Sequence, residues 1–116
     1  MPLYTAITEG DTISAETKAK IAEEITRIHT SVMTVPKNFV RVVFLSYPKG
    51  SGFTGGEKLL PPRSIVFCEA GIHPEEKADM LQQLWTMFQS LTAVATDQFV
   101  LSLQEIPSSN AMEWAR

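Results

Sequence analysis

A chain of 116 residues, 44% hydrophobic and 20% charged, has room for one domain with a real core and no more. Its net charge of −3 and the lack of any basic stripe argue against nucleic acid as a partner, and its single cysteine, Cys68, excludes an internal disulfide or a cysteine-rich metal site. No signal-peptide pattern opens the chain and no segment approaches the ~20 apolar residues of a membrane span, so a cytoplasmic protein without a membrane partner is expected.

Pro2 leads the apolar run Leu3-Tyr4-Thr5-Ala6-Ile7, which reads as a first strand ending near Thr8 and closed by Glu9-Gly10-Asp11. Ser14 then caps a helix running to about Met33. Its apolar positions Ile21, Ala22, Ile25, Ile28, His29 and Val32 fall on one helical face. Val35-Pro36 breaks that helix, and Phe39-Val40-Arg41-Val42-Val43-Phe44-Leu45 follows as a β-rich strand with Tyr47-Pro48 at its end. The stretch 49–63 is loop-like, rich in glycine and proline, with room for a short hairpin. Ser64-Ile65-Val66-Phe67-Cys68-Glu69-Ala70 suits a buried strand. His73 and Pro74 open a second helix, with Glu75 and Glu76 in its first turn and an apolar stripe of Met80, Leu81, Leu84, Trp85, Phe88 and Leu91. The last strand is Phe99 to Gln104, ending at Ile106-Pro107, and Met112-Glu113-Trp114 closes the chain.

The order is β-α-β twice, with matching punctuation, in a single domain whose repeats cover about 2–60 and 61–116. Each unit places its two strands parallel through a right-handed crossover. Two units side by side predict an α+β fold, a four-stranded sheet with both helices on one face. The other face keeps apolar side chains such as Leu3, Val43 and Val66, and a symmetric oligomer is the economical way to cover it.

Candidate chemistry begins at Pro2. As a strand opener it needs no explanation, because the first position of a strand does not use an N–H. Trimming of Met1, which is usual before a small residue, would instead leave a secondary amine. An α-amino group titrates near ~8 and burial lowers it further, so it could act as a base or, if protonated, an acid. Cys68 lies in an apolar run and reads as core rather than nucleophile. His29, on an apolar helix face, is either a satisfied core histidine or a catalytic group brought near strand one by the returning helix. Arg41 is either an exposed strand arginine or a carboxylate-binding cation. Tyr4 and Phe53 either line a pocket or simply pack. Two distant histidines make no metal site, and Gly52-Phe53-Thr54-Gly55-Gly56 lacks the lysine of a phosphate loop.

The Met-Pro opening and the β-α-β pair resemble the tautomerase superfamily, whose members use an amino-terminal proline as base or acid. The stretch from Val35 to Phe44 and on through Pro48-Lys49-Gly50-Ser51-Gly52-Phe53-Thr54-Gly55-Gly56-Glu57 is similar to 4-oxalocrotonate tautomerase. Chain length and both ends look more like the cis-3-chloroacrylic acid dehalogenase group. Its helix-one histidine falls on His29 in Arg27-Ile28-His29-Thr30, and its catalytic glutamate falls on Glu113 in Met112-Glu113-Trp114-Ala115-Arg116. The resemblance implies a mixed sheet of the tautomerase/MIF-like type, a homotrimer, and no cofactor. It implies Pro2, His29 and Glu113 as catalytic residues.

Departures shape what the resemblance implies. The group's two carboxylate-binding arginines fall on Pro74 and Lys77, and lysine keeps charge without the bidentate fork. Its water-positioning tyrosine falls on Ser102. Arg41 matches an arginine that engages substrate in 4-oxalocrotonate tautomerase, and Arg63 is another cation able to stand in. The expected activity is therefore keto–enol tautomerisation of small 2-oxo, enol or unsaturated carboxylic acids, with only weak hydratase or dehalogenase activity. Arg41, Lys77, Tyr4, Phe53 and Ser102 are the candidate substrate-binding residues. The alternative is a tautomerase-fold protein whose activity has decayed to a structural or ligand-binding role.

Overall fold

Strand β1 (Leu3–Glu9) alternates inward and outward residues, as a strand covered on one face must. Tyr4, Ala6 and Thr8 are buried, whereas Leu3 is exposed and Thr5 and Ile7 are half-buried. The computed structural model describes residues 2–58, 66–71 and 76–105, with backbone alone at 66–71.

Helix α1 (Ala15–Val32) starts where Ser14 predicts, because the serine Oγ accepts the Thr17 amide at 3.1 Å. That bond satisfies one of the amides a helix start leaves without a partner. Ser14→Ala should cost about 1 kcal/mol of stability, read as a lower urea midpoint at unchanged slope. At the other end, Met33 returns its amide to the His29 carbonyl and leaves the helix in an extended conformation.

Residues 39 and 40 do not join the second strand. Pro36 sets a tight 3-10 turn over Lys37–Phe39, in which the Phe39 and Val40 amides return to the Pro36 and Lys37 carbonyls. Strand β2 (Arg41–Tyr47) follows, parallel to β1 with Leu3 opposite Arg41 and Glu9 opposite Tyr47. The glycine-rich stretch does contain a hairpin, β3 (Phe53–Thr54) and β4 (Glu57–Lys58), joined by Gly55 and Gly56 at φ +61° and +80°. Two consecutive positive φ values are why glycine occupies both turn positions.

Strand β5 (Val66–Gly71) pairs antiparallel with β1, and β6 (Phe99–Gln104) pairs parallel with β5, giving the order β2-β1-β5-β6. The result is the mixed sheet of two β-α-β units. Ser64 and Ile65 lie outside the described residues, as do His73, Pro74 and Glu75. Helix α2 (Lys77–Thr92) begins later than its sequence suggests. Glu76 stands at the cap position, without a side-chain capping bond, and Asp79 is the acidic residue of the first turn.

Both helices pack on one face of the sheet. Ile21, Ile25 and Ile28 from α1 meet Met80, Leu84, Met87 and Phe88 from α2 over Tyr4 and Phe99. Phe99 lies between two rings of α2, stacked 4.4 Å from Trp85 and tilted 5.3 Å from Phe88. The opposite face stays uncovered in the single chain, where Leu3, Val43, Leu45 and Val100 are 44–53% exposed.

Candidate active site

The register brings one set of termini together. β1 and β2 start at the end of the sheet where β5 and β6 finish, so Pro2, Arg41, Gly71 and Gln104 share that end. Helix α1 runs back against β1 and delivers His29 there, while α2 sets out from there with Lys77. Pro2, His29, Arg41 and Lys77 thus come to the same end of the sheet as Tyr4.

Pro2 is fully buried. Its carbonyl accepts the Arg41 amide at 3.1 Å, which ties the start of β1 to the start of β2. Strand alternation puts Pro2 on the same face as Tyr4, about 7 Å along the strand. Tyr4 is buried completely and its hydroxyl lies 2.8 Å from His29 Nδ1, with the two rings edge to face. His29 itself is 1% exposed. Burial disfavours the imidazolium and pulls the His29 pKa down from 6.5 to about 4, so the ring is neutral at pH 7.

The other candidates differ in face, end or partner within one chain. Arg41 opens β2 on the uncovered face and is exposed; its guanidinium donates to the Phe39 carbonyl at 3.4 Å. Ser102 is half-buried in β6 opposite Glu69, on the same face as exposed Val100 and opposite to the His29 side. Phe53 is 53% exposed and belongs to the far end of the sheet, six residues beyond the end of β2. Its neighbour Thr54 donates there to Gln98, just before β6 begins. Lys77 is at the Pro2 end but forms an ion pair with Glu105. Glu113, Arg63 and Met1 lie outside the described residues.

What the sequence reading missed is the Tyr4–His29 bond. No spacing rule links residues 25 apart. The only signal was parity, since Tyr4 shares a strand face with Pro2 and that face had to meet the helix carrying His29. No group of three potential metal-ligating side chains occurs among the described residues, and none of the described helices is long and apolar enough to cross a membrane.

A protein family described as "Putative oxalocrotonate tautomerase enzyme" matches residues 1–100. No curated protein matches the chain. Among solved structures, native Ps01740 is 27% identical, with 96% of this chain and 99% of that one covered at a TM-score of 0.85. N1, a member of the cis-3-chloroacrylic acid dehalogenase family, is 20% identical, with 98% and 81% covered and a TM-score of 0.81. A fused 4-OT, crystallised as an asymmetric trimer, is 14% identical, with 97% and 94% covered and a TM-score of 0.76. At those lower identities the likeness concerns the fold, and the family match extends along most of the sequence. The chain belongs to this oxalocrotonate tautomerase family and has the tautomerase/MIF-like α+β fold.

Proposed function

We propose that the chain is a cofactor-independent tautomerase in which Pro2, freed by removal of Met1, is the general base or acid. The observation that carries this reading is the burial of Pro2 on the face of β1 that also holds the Tyr4–His29 pair. A free secondary amine in such a place is kept neutral by the cost of desolvating its charge. It can then take a proton from the carbon next to a 2-oxo group. A donor or cation near the oxygen is needed as well, because the enolate formed carries the negative charge.

Arg41 and Phe53 cannot both meet Pro2 within one chain, since one is on the uncovered face and the other at the far end of the sheet. The proposal is that a neighbouring copy, packed through the uncovered face, supplies such residues and Ser102 to the site at Pro2. A homotrimer is therefore part of the proposal, supported by the exposed apolar residues of that face and by the trimeric fused 4-OT of the same fold. Sedimentation at micromolar concentration should show a trimer, and Leu45→Asp should convert it to monomers. A wild-type monomer would overturn this assembly.

The substrate class is a small 2-oxo, enol or unsaturated carboxylate, with Lys77 or Arg41 as its carboxylate partner. In a hydration variant, Glu113 would take a proton from water that His29 orients, and protonated Pro2 would supply the proton to carbon. Tautomerisation is the stronger expectation, because Ser102 offers less to a water molecule than a tyrosine would and Lys77 holds a carboxylate less rigidly than an arginine. Enol decay followed in the ultraviolet, beside halide release from a 3-haloacrylate, tests it on protein whose mass confirms loss of Met1. Enol decay exceeding the uncatalysed rate, with little or no halide release, is expected. Fast halide release without tautomerisation would overturn it, and no activity in either assay would favour the decayed, ligand-binding alternative.

A further inference from the structure

We infer that Tyr4 is a positioning residue that fixes the tautomer of His29 and so decides what the imidazole offers beside Pro2. The phenol and His29 Nδ1 are 2.8 Å apart, both residues are 1% exposed or less, and the rings meet edge to face at 88°. Neutral imidazole has one donor nitrogen and one acceptor nitrogen, and the partner of one nitrogen sets the state of the other. A phenol is a good O–H donor whose oxygen lone pairs are delocalised into its ring. Donation from Tyr4 to Nδ1 is therefore the favoured direction, and the ring proton sits on Nε2.

The consequence is functional. With its proton on Nε2, His29 is a hydrogen-bond donor and has no free lone pair for use as a base. It suits the oxygen of a 2-oxo or enol acid, where negative charge grows as the proton leaves carbon. In hydration it could orient a water through that water's oxygen but could not deprotonate it. That task would stay with another group. The burial that keeps the imidazole neutral also keeps the arrangement intact across the neutral range.

Tyr4 is well placed for this because its backbone cannot wander. Its position in β1 is paired on both sides, with Val42 of β2 and Ala70 of β5. Two residues from Pro2 on the same strand face, it relays the geometry of the sheet to a side chain on α1. The kinetic part of this inference rests on the proposed tautomerase activity; the tautomer itself does not.

The test uses the full chain labelled with ¹⁵N-histidine. The sequence has two histidines, and His73→Gln assigns the signals. Between pH 6 and 8, His29 should show one pyrrole-like nitrogen, Nε2, and one hydrogen-bonded pyridine-like nitrogen, Nδ1. A protonated Nδ1 in the wild type would overturn the inference without any variant having to fold. In Tyr4→Phe the Nδ1 signal should move to the position of a free acceptor nitrogen or split between tautomers. Turnover of an enol acid should fall about 10- to 100-fold, with KM changed less than about twofold. Unchanged ¹⁵N shifts in Tyr4→Phe would also overturn it. An inactive wild type with the expected shifts would instead count against the tautomerase reading and leave the tautomer assignment standing.

Discussion

Pro2→Ala should lower the turnover of enol tautomerisation by about 100- to 10,000-fold, the range over which a positioned acid or base contributes. A processed alanine still presents an amine. That amine is primary and turns freely about its Cα, whereas the pyrrolidine ring holds the proline nitrogen in a single direction from a strand that is hydrogen-bonded at the very next unit. The Arg41 amide on the Pro2 carbonyl is independent of the side chain at position 2, so the strand pairing should survive and the loss should appear in turnover rather than in folding. Protein that keeps Met1 provides the complementary control. Its Pro2 nitrogen is an amide with no basicity, and it should be inactive although otherwise wild type. Ultraviolet assays on both forms, with intact masses measured on the same samples, check the expectation. A Pro2→Ala variant with wild-type turnover would remove proline from the chemistry.

Acid should unfold the protein through His29. Its pKa falls from 6.5 to about 4 on folding because burial penalises the imidazolium. The folded state therefore holds the neutral ring in a window where the unfolded chain has already bound a proton. Unfolded molecules carry more protons there, so stability rises with pH across the window and is lost as pH falls from 6.5 towards 4. A shift of that size corresponds to about 3 kcal/mol at most, using about 1.36 kcal/mol per pKa unit. Carboxylates elsewhere add their own acid dependence, so the measurement is a difference. Urea unfolding of the wild type and of His29→Gln should give stability curves that converge as the pH drops, with the variant flatter in this window. Parallel curves would show that His29 is protonated as readily in the folded protein as in the unfolded one. The ordinary reference for such a slope is an exposed histidine, which would add none.

Several elements follow from local chemistry alone. The alternation from Leu3 onward, the 3.6-residue apolar rhythm from Ile21 to Val32, the Ser14 cap and the strand from Phe99 to Gln104 are short-range patterns, and the molecule uses them as they stand. Two β-α-β units with both helices on one face follow as well, because each crossover has a preferred hand and each amphipathic face needs cover. Other features depend on partners distant along the chain. Arg41 begins β2 because Leu3 lies opposite it and because Pro36 takes up the preceding residues in a turn. The antiparallel join between β1 and β5, which sets the order β2-β1-β5-β6 and gathers Pro2, Arg41 and Gln104 at one end, is a pairing between strands more than fifty residues apart. Composition carries no record of such a pairing, since hydrogen bonds between backbones are blind to side-chain identity. The candidate site is divided in the same way. Residue type and position mark out Pro2 and His29, but the hydroxyl on Nδ1 that gives His29 its state comes from Tyr4, and only packing α1 across the sheet brings that atom within reach.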